Sequence, residues 1–294
     1  MNYPPKTSPA KLTRRTFLKK TMLSAAAIAA LPPAGFGYAR YAEPRWLERT
    51  SVTLRLDRLP EPMDGLRIAQ FSDVHLGFHY MAEDLLRLGA EINLLQPDIL
   101  CFTGDLVDYA IGSEAETRGA IEALASMEAP LGKFAVLGNH DYYSSSADVV
   151  RTLTAGGFTV LRNDAVRAER NGGAVWIAGV EDQWQGKPDI RQALKKPNPD
   201  DCVVLLSHCP DYADVTAQYP VDVQLSGHSH GGQVRLPFYG HIVVPKYARN
   251  YVLGLYALGG GKLQLYVNRG IGVSQYPVRF WCRPELTLFT LRSP

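Results

Sequence analysis

Five apolar runs in this 294-residue chain end in aspartate, asparagine or histidine. Ala69-Gln70-Phe71 leads into Ser72-Asp73-Val74-His75, and Cys101-Phe102 into Thr103-Gly104-Asp105. Phe134-Ala135-Val136-Leu137 leads into Gly138-Asn139-His140-Asp141, and Val203-Val204-Leu205-Leu206 into Ser207-His208. The fifth, Val223-Gln224-Leu225, leads into Ser226-Gly227-His228-Ser229-His230. Each run reads as a buried strand, and in open α/β sheets ligands gather beyond the carboxyl ends of strands. Side chains distant in sequence can therefore meet there. Imidazole, amide and carboxylate together suit divalent Mn, Fe or Zn. The candidate ligands are Asp73, His75, Asp105, Asn139, His208, His228 and His230. Asp-x-His and His-x-His put two donors on alternate residues, which point the same way in an extended segment. Any one of these fragments is common. Five in one chain, all at strand ends, point to a shared metal site.

The elements that must position these residues are legible from periodicity. Alternation over Ser51–Leu56 predicts a half-exposed strand, and Arg67–Phe71 and Asp98–Phe102 predict buried ones. Leu85, Leu88, Ile92 and Leu95 predict a helix over Met81–Leu95, ended by Gln96-Pro97. A second helix is expected over Glu114–Met127, with Ile121, Leu124 and Met127 inward, and a third over Ala147–Thr154 before Gly156-Gly157. Strands follow at Thr159–Leu161, Ala165–Ala168 and Val175–Val180, with a turn at Asn171-Gly172-Gly173. Asp211–Gln218 reads as a short helix. From Gln233 onward the chain reads mostly as strands, clearest at Lys262–Val267 and Glu285–Leu291. A βαβα first half and a strand-rich second half fit two sheets packed face to face, helices outside, in one domain.

Charge is unevenly spread. Residues 1–39 hold Lys6, Lys11, Arg14, Arg15, Lys19 and Lys20 and no acid; without these six the chain's 31 basic residues fall to 25, against 29 acidic. A mildly acidic body lacks the basic face of a nucleic-acid binder. The leader itself, Thr13-Arg14-Arg15-Thr16-Phe17-Leu18-Lys19 followed by the alanine-rich run Met22–Leu31 and Pro32-Pro33, has the parts of an export signal. Its paired arginines resemble a twin-arginine signal. The apolar run is shorter than the roughly 20 residues that span a bilayer, and Gly37-Tyr38-Ala39 is a candidate cleavage site. The expected division is a signal segment over 1–39 and a folded domain over 40–294. Cys101, Cys202, Cys209 and Cys282 form no C-x-x-C pair, which argues against a thiolate zinc site. Seven extended residues at about 3.3 Å each separate Cys202 and Cys209 by roughly 23 Å, too far for a bridge. Cys101 and Cys202 read as small buried hydrophobes, and one disulfide elsewhere stays open.

In order along the chain, Asp73-Val74-His75, Gly104-Asp105-Leu106-Val107-Asp108, Gly138-Asn139-His140-Asp141, His208 and Gly227-His228-Ser229-His230 resemble the signature of the calcineurin-like metallophosphoesterases. The match runs from about residue 66 to 236. The resemblance implies a four-layer αββα sandwich and two divalent metal ions. One would be held by Asp73, His75, Asp105 and His230, the other by Asp105, Asn139, His208 and His228, with Asp105 bridging. Two cations about 3.5–4 Å apart clamp a phosphoryl group and acidify a water between them, so that a bridging hydroxide attacks phosphorus. His140 would stabilise developing charge or protonate the leaving oxygen, with Asp141 orienting its ring. Purple acid phosphatases carry a tyrosine ligand where this chain has Asp108; Tyr109 falls one residue later, which argues against a ferric–tyrosinate centre.

Gly231-Gly232-Gln233-Val234-Arg235-Leu236-Pro237, Arg269-Gly270-Ile271-Gly272 and Pro277-Val278-Arg279-Phe280 look like a bacterial subset of exported or membrane-associated phosphodiesterases in that family. The implied activity is phosphodiester hydrolysis on a small-molecule or lipid-linked ester. Alternatives are a phosphomonoesterase, a nucleotide-sugar or UDP-diacylglucosamine-type pyrophosphatase, or a non-catalytic metal-binding scaffold. The implied partners are the twin-arginine export machinery and, at the periphery, a membrane; the implied location is the periplasm or cell envelope. His79, four residues after His75, is a polar loop residue or reaches a substrate phosphate. Asp108 orients a ligand from behind or is a plain loop carboxylate. His241 is assigned no chemical role. Phe238, Tyr239, Tyr247, Tyr251 and Tyr256 are expected to pack a β-rich core, with a lipid-facing rim as the alternative.

Overall fold

The computed structural model describes residues 33–110, 112–143 and 145–294. The paired arginines and the apolar run of the leader lie outside these residues. Two six-stranded sheets face each other. The first runs in the order β1 (Glu48–Arg55), β14 (Glu285–Arg292), β2 (Arg67–Phe71), β3 (Ile99–Phe102), β4 (Lys133–Ala135) and β5 (Thr159–Val160). The second runs β12 (Gly254–Leu258), β13 (Leu263–Val267), β9 (Val223–Ser226), β8 (Val203–Leu206), β7 (Gly173–Gly179) and β6 (Asp164–Arg170). A two-stranded ribbon, β10 (Arg235–Leu236) with β11 (Gly240–His241), stands apart from both.

The strands that carry candidate ligands are the parallel ones. β2, β3, β4 and β5 pair in parallel in the first sheet, and β7, β8, β9 and β13 in the second. β3, β8 and β9 are buried along their whole length. Such strands have both faces covered, which is why they read as continuous apolar runs rather than alternating ones. Between the sheets, Ile68, Ile99 and Phe134 of one meet Ile177, Val204 and Leu225 of the other in one core. On the outer face of the first sheet, α1 (Ala82–Leu94), α2 (Glu114–Ala125) and α4 (Ser146–Ala155) bury Leu85, Leu88, Ile92, Leu124 and Leu153 against Phe71, Leu100 and Phe102. The helices begin where the sequence offers caps: Ser113 accepts from Glu116 N at 3.2 Å, and Asp84 from Met81 N at 3.0 Å. The fourth layer is thin. The turns α5 (Ile190–Ala193) and α6 (Ala213–Thr216) cover Ala178, Leu205 and Leu265 of the second sheet.

The four-layer αββα arrangement is therefore the one expected, with local differences. Ile121 is only half-buried, because Ala120, Ala123 and Leu124 form the inward stripe of α2. The expected run of strands after Gln233 is interrupted: residues 268–284 form an irregular loop held by buried side chains rather than a ladder. All four cysteines are free and buried, so none of them is bridged. Tyr251 and Tyr256 pack against the core of the second sheet as expected. Phe238 and Tyr239 do not; they sit at the tip of the β10–β11 ribbon and are exposed.

Candidate metal centre

The parallel strands of both sheets deliver their carboxyl ends to one edge of the sandwich, and the loops that follow interlock there. Asp73 N donates to Gly104 O at 2.9 Å and Val74 N to Asp105 O at 2.8 Å, tying the loops after β2 and β3 together. The Asp73 carboxylate crosses to the second sheet, accepting from His228 N at 3.0 Å on both oxygens. Just beneath, Gln70 Nε2 donates to Thr103 Oγ1 and to Ser226 O, each at 3.0 Å, so the sheets are pinned directly under the site.

The donor atoms converge as three overlapping triads, one of them His75, Asp105 and His140. Those of Asp73, His75 and His230 lie within 4.8 Å of one another, as do those of Asp105, His208 and His228. Asp105 Oδ2 stands between them, 3.7 Å from His75 Nε2 and 3.2 Å from His208 Nε2. His75 Nε2 is 3.0 Å from His230 Nε2, and His228 Nδ1 is 3.1 Å from His208 Nε2. Asn139 and His140, on the short α3 (Asn139–Tyr143), open into the same cavity as Asp105, His228 and His230. The Asn139 amide oxygen is buried with no hydrogen-bond partner among the described residues. Buried polar atoms are nearly always partnered, so an unpartnered oxygen on a residue lining the same cavity as Asp105, His228 and His230 fits a cation. The residues present fit a divalent metal site in donor type, convergence and burial.

The nitrogens that face away from the cluster strengthen that reading. His208 Nδ1 bonds Thr103 O at 2.8 Å, and His228 Nε2 bonds Lys246 O at 2.7 Å. Each carbonyl fixes the proton on the outer nitrogen and leaves the inner one as a lone pair, the usual support behind a metal-ligating imidazole. Behind His75 stands the Asp108 carboxylate, whose Oδ1 lies 3.1 Å from Nδ1. Asp108, left between two readings by the sequence, is thus buried behind His75, while Tyr109 is exposed. Burial and the neighbouring His208 push His228 down to about 3, and burial with His75 holds His230 well below its ordinary value. Both are neutral lone-pair donors at physiological pH. Burial alone would lower His208 and His75 too, but Asp105 outweighs it for His208, and Asp108 with Asp105 for His75, so both are raised. In return His208 holds Asp105 well below the carboxylate range despite its burial.

Two expectations are corrected by this geometry. The paired donors do not converge by strand alternation. Asp73, His75, Asp105, His228 and His230 all have φ between 51° and 66°, in the left-handed region. Such conformations are costly for these residue types and persist where the surroundings over-determine them. Nor does Asp141 orient the His140 ring. Its carboxylate is turned into the loop, where it accepts from the backbone N–H of Asp105 (2.9 Å), Leu106 (2.8 Å), Val107 (3.3 Å) and Gly138 (2.9 Å). The ring is set instead by Asp108: His140 Nδ1 lies 2.6 Å from Asp108 O, and 3.4 Å from its Oδ1. Burial and the Asp105 carboxylate push Asp141 up to about 7 against those four donors.

Residues 66–232 match the calcineurin-like phosphoesterase family, a span that includes every one of these donors. The chain belongs to the calcineurin-like phosphoesterases. It is 41% identical over 285 residues to the Bacillus subtilis metallophosphoesterase YkuE, covering 96% of this chain and 99% of that one. It is 32% identical over 292 residues to the Escherichia coli phosphodiesterase YaeI, covering 95% and 99%. It is 31% identical over 324 residues to the UDP-2,3-diacylglucosamine pyrophosphatase LpxG of Chlamydia muridarum, covering 90% and 95%. This phosphoesterase is accordingly a metal-dependent hydrolase of phosphoric esters.

Of the residues that surround the site of this phosphoesterase, Arg279 stands out in sequence only as part of the Pro277-Val278-Arg279-Phe280 stretch, and Trp184 and Tyr143 do not stand out at all. Arg279 is fully buried and fans its guanidinium over four carbonyls: Arg269 O, Gly270 O, Gly272 O and Cys282 O, at 2.6–3.1 Å. This fixes the 268–284 loop against the ligands, because Gly270 N–H and Gly272 N–H lie beside Asn268 and Asp73. A side chain at Gly272 would collide with the Val74 carbonyl, so that glycine permits the close approach. Trp184 stacks edge-on to His228 with ring centroids 5.8 Å apart, and Tyr143 to His140 at 5.1 Å. His79 lies away from this cavity and lines another, with Arg40 and Arg45.

Proposed function

We propose that the chain hydrolyses a phosphodiester, with two divalent cations (Mn, Fe or Zn) held by Asp73, His75, Asp105 and His230 and by Asp105, Asn139, His208 and His228. The observation that carries this reading is the pair of donor triads joined by Asp105 at the floor of one cavity. Two cations bound there supply Lewis acidity and an acidified water at neutral pH. His140 acts on the leaving oxygen. Its Nδ1 is taken by the Asp108 carbonyl, which leaves Nε2 as the nitrogen available to substrate. Its backbone N–H also donates to Asp105 Oδ1 at 2.8 Å, so the acid and the shared ligand move as one unit.

The diester reading rests on the cavity. It holds about 580 Å³ and is walled by Tyr109, Tyr143, Trp184, Ile242, Val243 and Tyr276, and among the described residues neither lysine nor arginine lines it. A monoester brings a dianionic phosphate that calls for extra cationic donors. A diester brings one charge and two substituents, which the apolar walls suit. Metal-free protein reconstituted with each cation and assayed on bis-aryl and mono-aryl phosphates tests this. Turnover of the diester alone is expected. Equal turnover of both would make it a monoesterase, and bound metal without turnover would make it a scaffold.

The chain also carries a twin-arginine leader by sequence, and export to the periplasm or cell envelope follows from that. Arg14→Lys with Arg15→Lys is expected to hold the protein in the cytoplasm; export of the folded double variant would end this part of the reading.

A further inference from the structure

The bulky apolar side chains that this fold leaves exposed are concentrated on three segments in mutual contact. The N-terminal stretch presents Phe36, Tyr41 and Trp46, the β10–β11 ribbon presents Phe238, Tyr239 and Val243, and the 268–284 loop presents Tyr276 and Trp281. That loop joins the other two. On one side Arg279 N donates to Ala39 O at 2.9 Å, and the Arg283 guanidinium lies 3.6 Å over the Trp46 ring. On the other, Arg235 N donates to Phe280 O at 2.8 Å and Gln233 Nε2 to Tyr276 O at 2.7 Å. Phe238 projects fully into solvent at φ 63°, and Trp281 is well exposed at φ 53°. Bulky residues rarely adopt the left-handed region. At both positions the backbone is held there while a large apolar ring faces outward, where glycine or asparagine would sit without strain.

The same loop also walls two cavities. Tyr276 and Val278 face the metal-centre cavity, and Pro277 faces a second of about 460 Å³. The second is basic at its mouth, with Arg40, Arg45 and His79, and apolar deeper in, with Leu47, Leu88 and Ile271. Its acids are already paired, Asp84 with Arg87, which lines the same cavity, and Glu91 with Arg49. Among the described residues neither Arg40 nor Arg45 makes an ion pair.

We propose that this face seats on an anionic phospholipid bilayer, the aromatic rim entering the headgroup region and the Arg40–Arg45–His79 cavity taking a lipid phosphate. Three observations select that occupant. Trp and Tyr predominate among the exposed rings of the N-terminal stretch and the loop, and these amphipathic rings favour the membrane–water boundary. Unpaired arginines over an apolar floor complement a phosphate with acyl chains attached. In sequence, Phe36 follows the apolar run Met22–Leu31 by five residues, so this face opens where an apolar stretch of the sequence ends. No helix among the described residues is long and apolar enough to cross a membrane, so the contact proposed is with its surface.

The test uses the full-length chain with vesicles of phosphatidylglycerol mixed into phosphatidylcholine, and of phosphatidylcholine alone. Binding is expected to the mixed vesicles and to be much weaker on the neutral ones. Arg40→Gln with Arg45→Gln should weaken it about thirtyfold, and Phe238→Ser with Tyr239→Ser should also weaken it. Turnover of a soluble bis-aryl phosphate should be unchanged in both double variants, which separates this proposal from the reading of the metal centre. Brominated lipids should quench tryptophan fluorescence, and Trp46→Phe with Trp281→Phe should remove that quenching. Binding without quenching of Trp46 and Trp281 would mean attachment through the N-terminal run alone and overturn the proposal. Equal affinity of all variants would do the same, as would a concentration-dependent dimer that shields these residues in place of vesicle binding.

Discussion

Replacing Asp141 separates two accounts of the Gly138–Asp141 turn. Motif logic gives this carboxylate to His140, and on that account Asp141→Asn slows turnover and leaves the fold alone. The geometry gives it to four backbone N–H groups of the loops after β3 and β4, all within 3.3 Å of its oxygens. A buried donor left without an acceptor costs about 1–3 kcal/mol. For Asp141→Ala the low end applies to each, since water entering the space satisfies part of the need. Four donors then come to about 4 kcal/mol, a large share of the ~5–15 kcal/mol that holds a domain together. Asp141→Asn keeps one oxygen and turns an NH₂ toward the remaining N–H groups, so about half that loss is expected. Urea unfolding of the metal-free protein, followed by far-ultraviolet circular dichroism, measures both. The midpoint should fall in the order wild type, Asn, Ala, and metal affinity should fall with it, because Asp105 N is one of the four donors. An Asp141→Asn protein that unfolds at the wild-type urea concentration while losing only turnover would refute this reasoning and return the carboxylate to His140.

His140→Ala should keep both cations and lose about 10²–10⁴ in turnover; metal analysis beside the assay checks this, since loss of metal would make His140 a ligand of the His75–Asp105 cluster it borders. Asp108→Ala keeps the backbone carbonyl that meets His140 Nδ1 but removes the carboxylate behind His75; it should weaken the cation held by His75 by about 10–100-fold, and a titration that resolves the two sites reads this directly. Metal binding should release protons near neutral pH. His75 and His208 are raised in the metal-free protein and must lose a proton to bind, so affinity should rise with pH through that range; calorimetry in buffers of different ionisation enthalpy counts the protons, and a buffer-independent heat would contradict it.

The sequence was most informative where burial and chemistry coincide. β3 and β8 are continuous apolar runs, and β2 and β9 are each broken by one buried glutamine, because helices or turns cover one face and the opposing sheet the other, and the polar residue that ends each run is visible for the same reason. The seven candidate ligands could be named from that break alone. The thin fourth layer was less legible, since α5 and α6 are four-residue turns too short to show a period. Loop 268–284 falls inside the stretch after Gln233 that reads mostly as strands, while four of its backbone carbonyls are satisfied by one arginine side chain instead of a ladder. A buried arginine in that role has no pattern in sequence: Arg279 is distinguishable from the half-buried Arg283 four residues later only once the loop is folded. Phe238 and Tyr239 were misplaced for a related reason, because an aromatic pair says nothing about which surface it meets.

The ligand backbones show why recognising the donors did not give their geometry. Five of the seven donors lie at positive φ, a state that for residues other than glycine costs roughly 1–2 kcal/mol each. Motif spacing records which side chains are present, and an extended reading of Asp-x-His or His-x-His places them on one face. The observed convergence comes instead from tight turns held from outside. Asp141 clamps the turn after β3, the Asp73 carboxylate receives His228 N, and Arg279 gathers the carbonyls beside Asp73 and His230. Strain at the ligands and charge behind them are two sides of one arrangement. Turns that would relax if free are fixed by buried ionic side chains, and these hold the candidate donors close to one another.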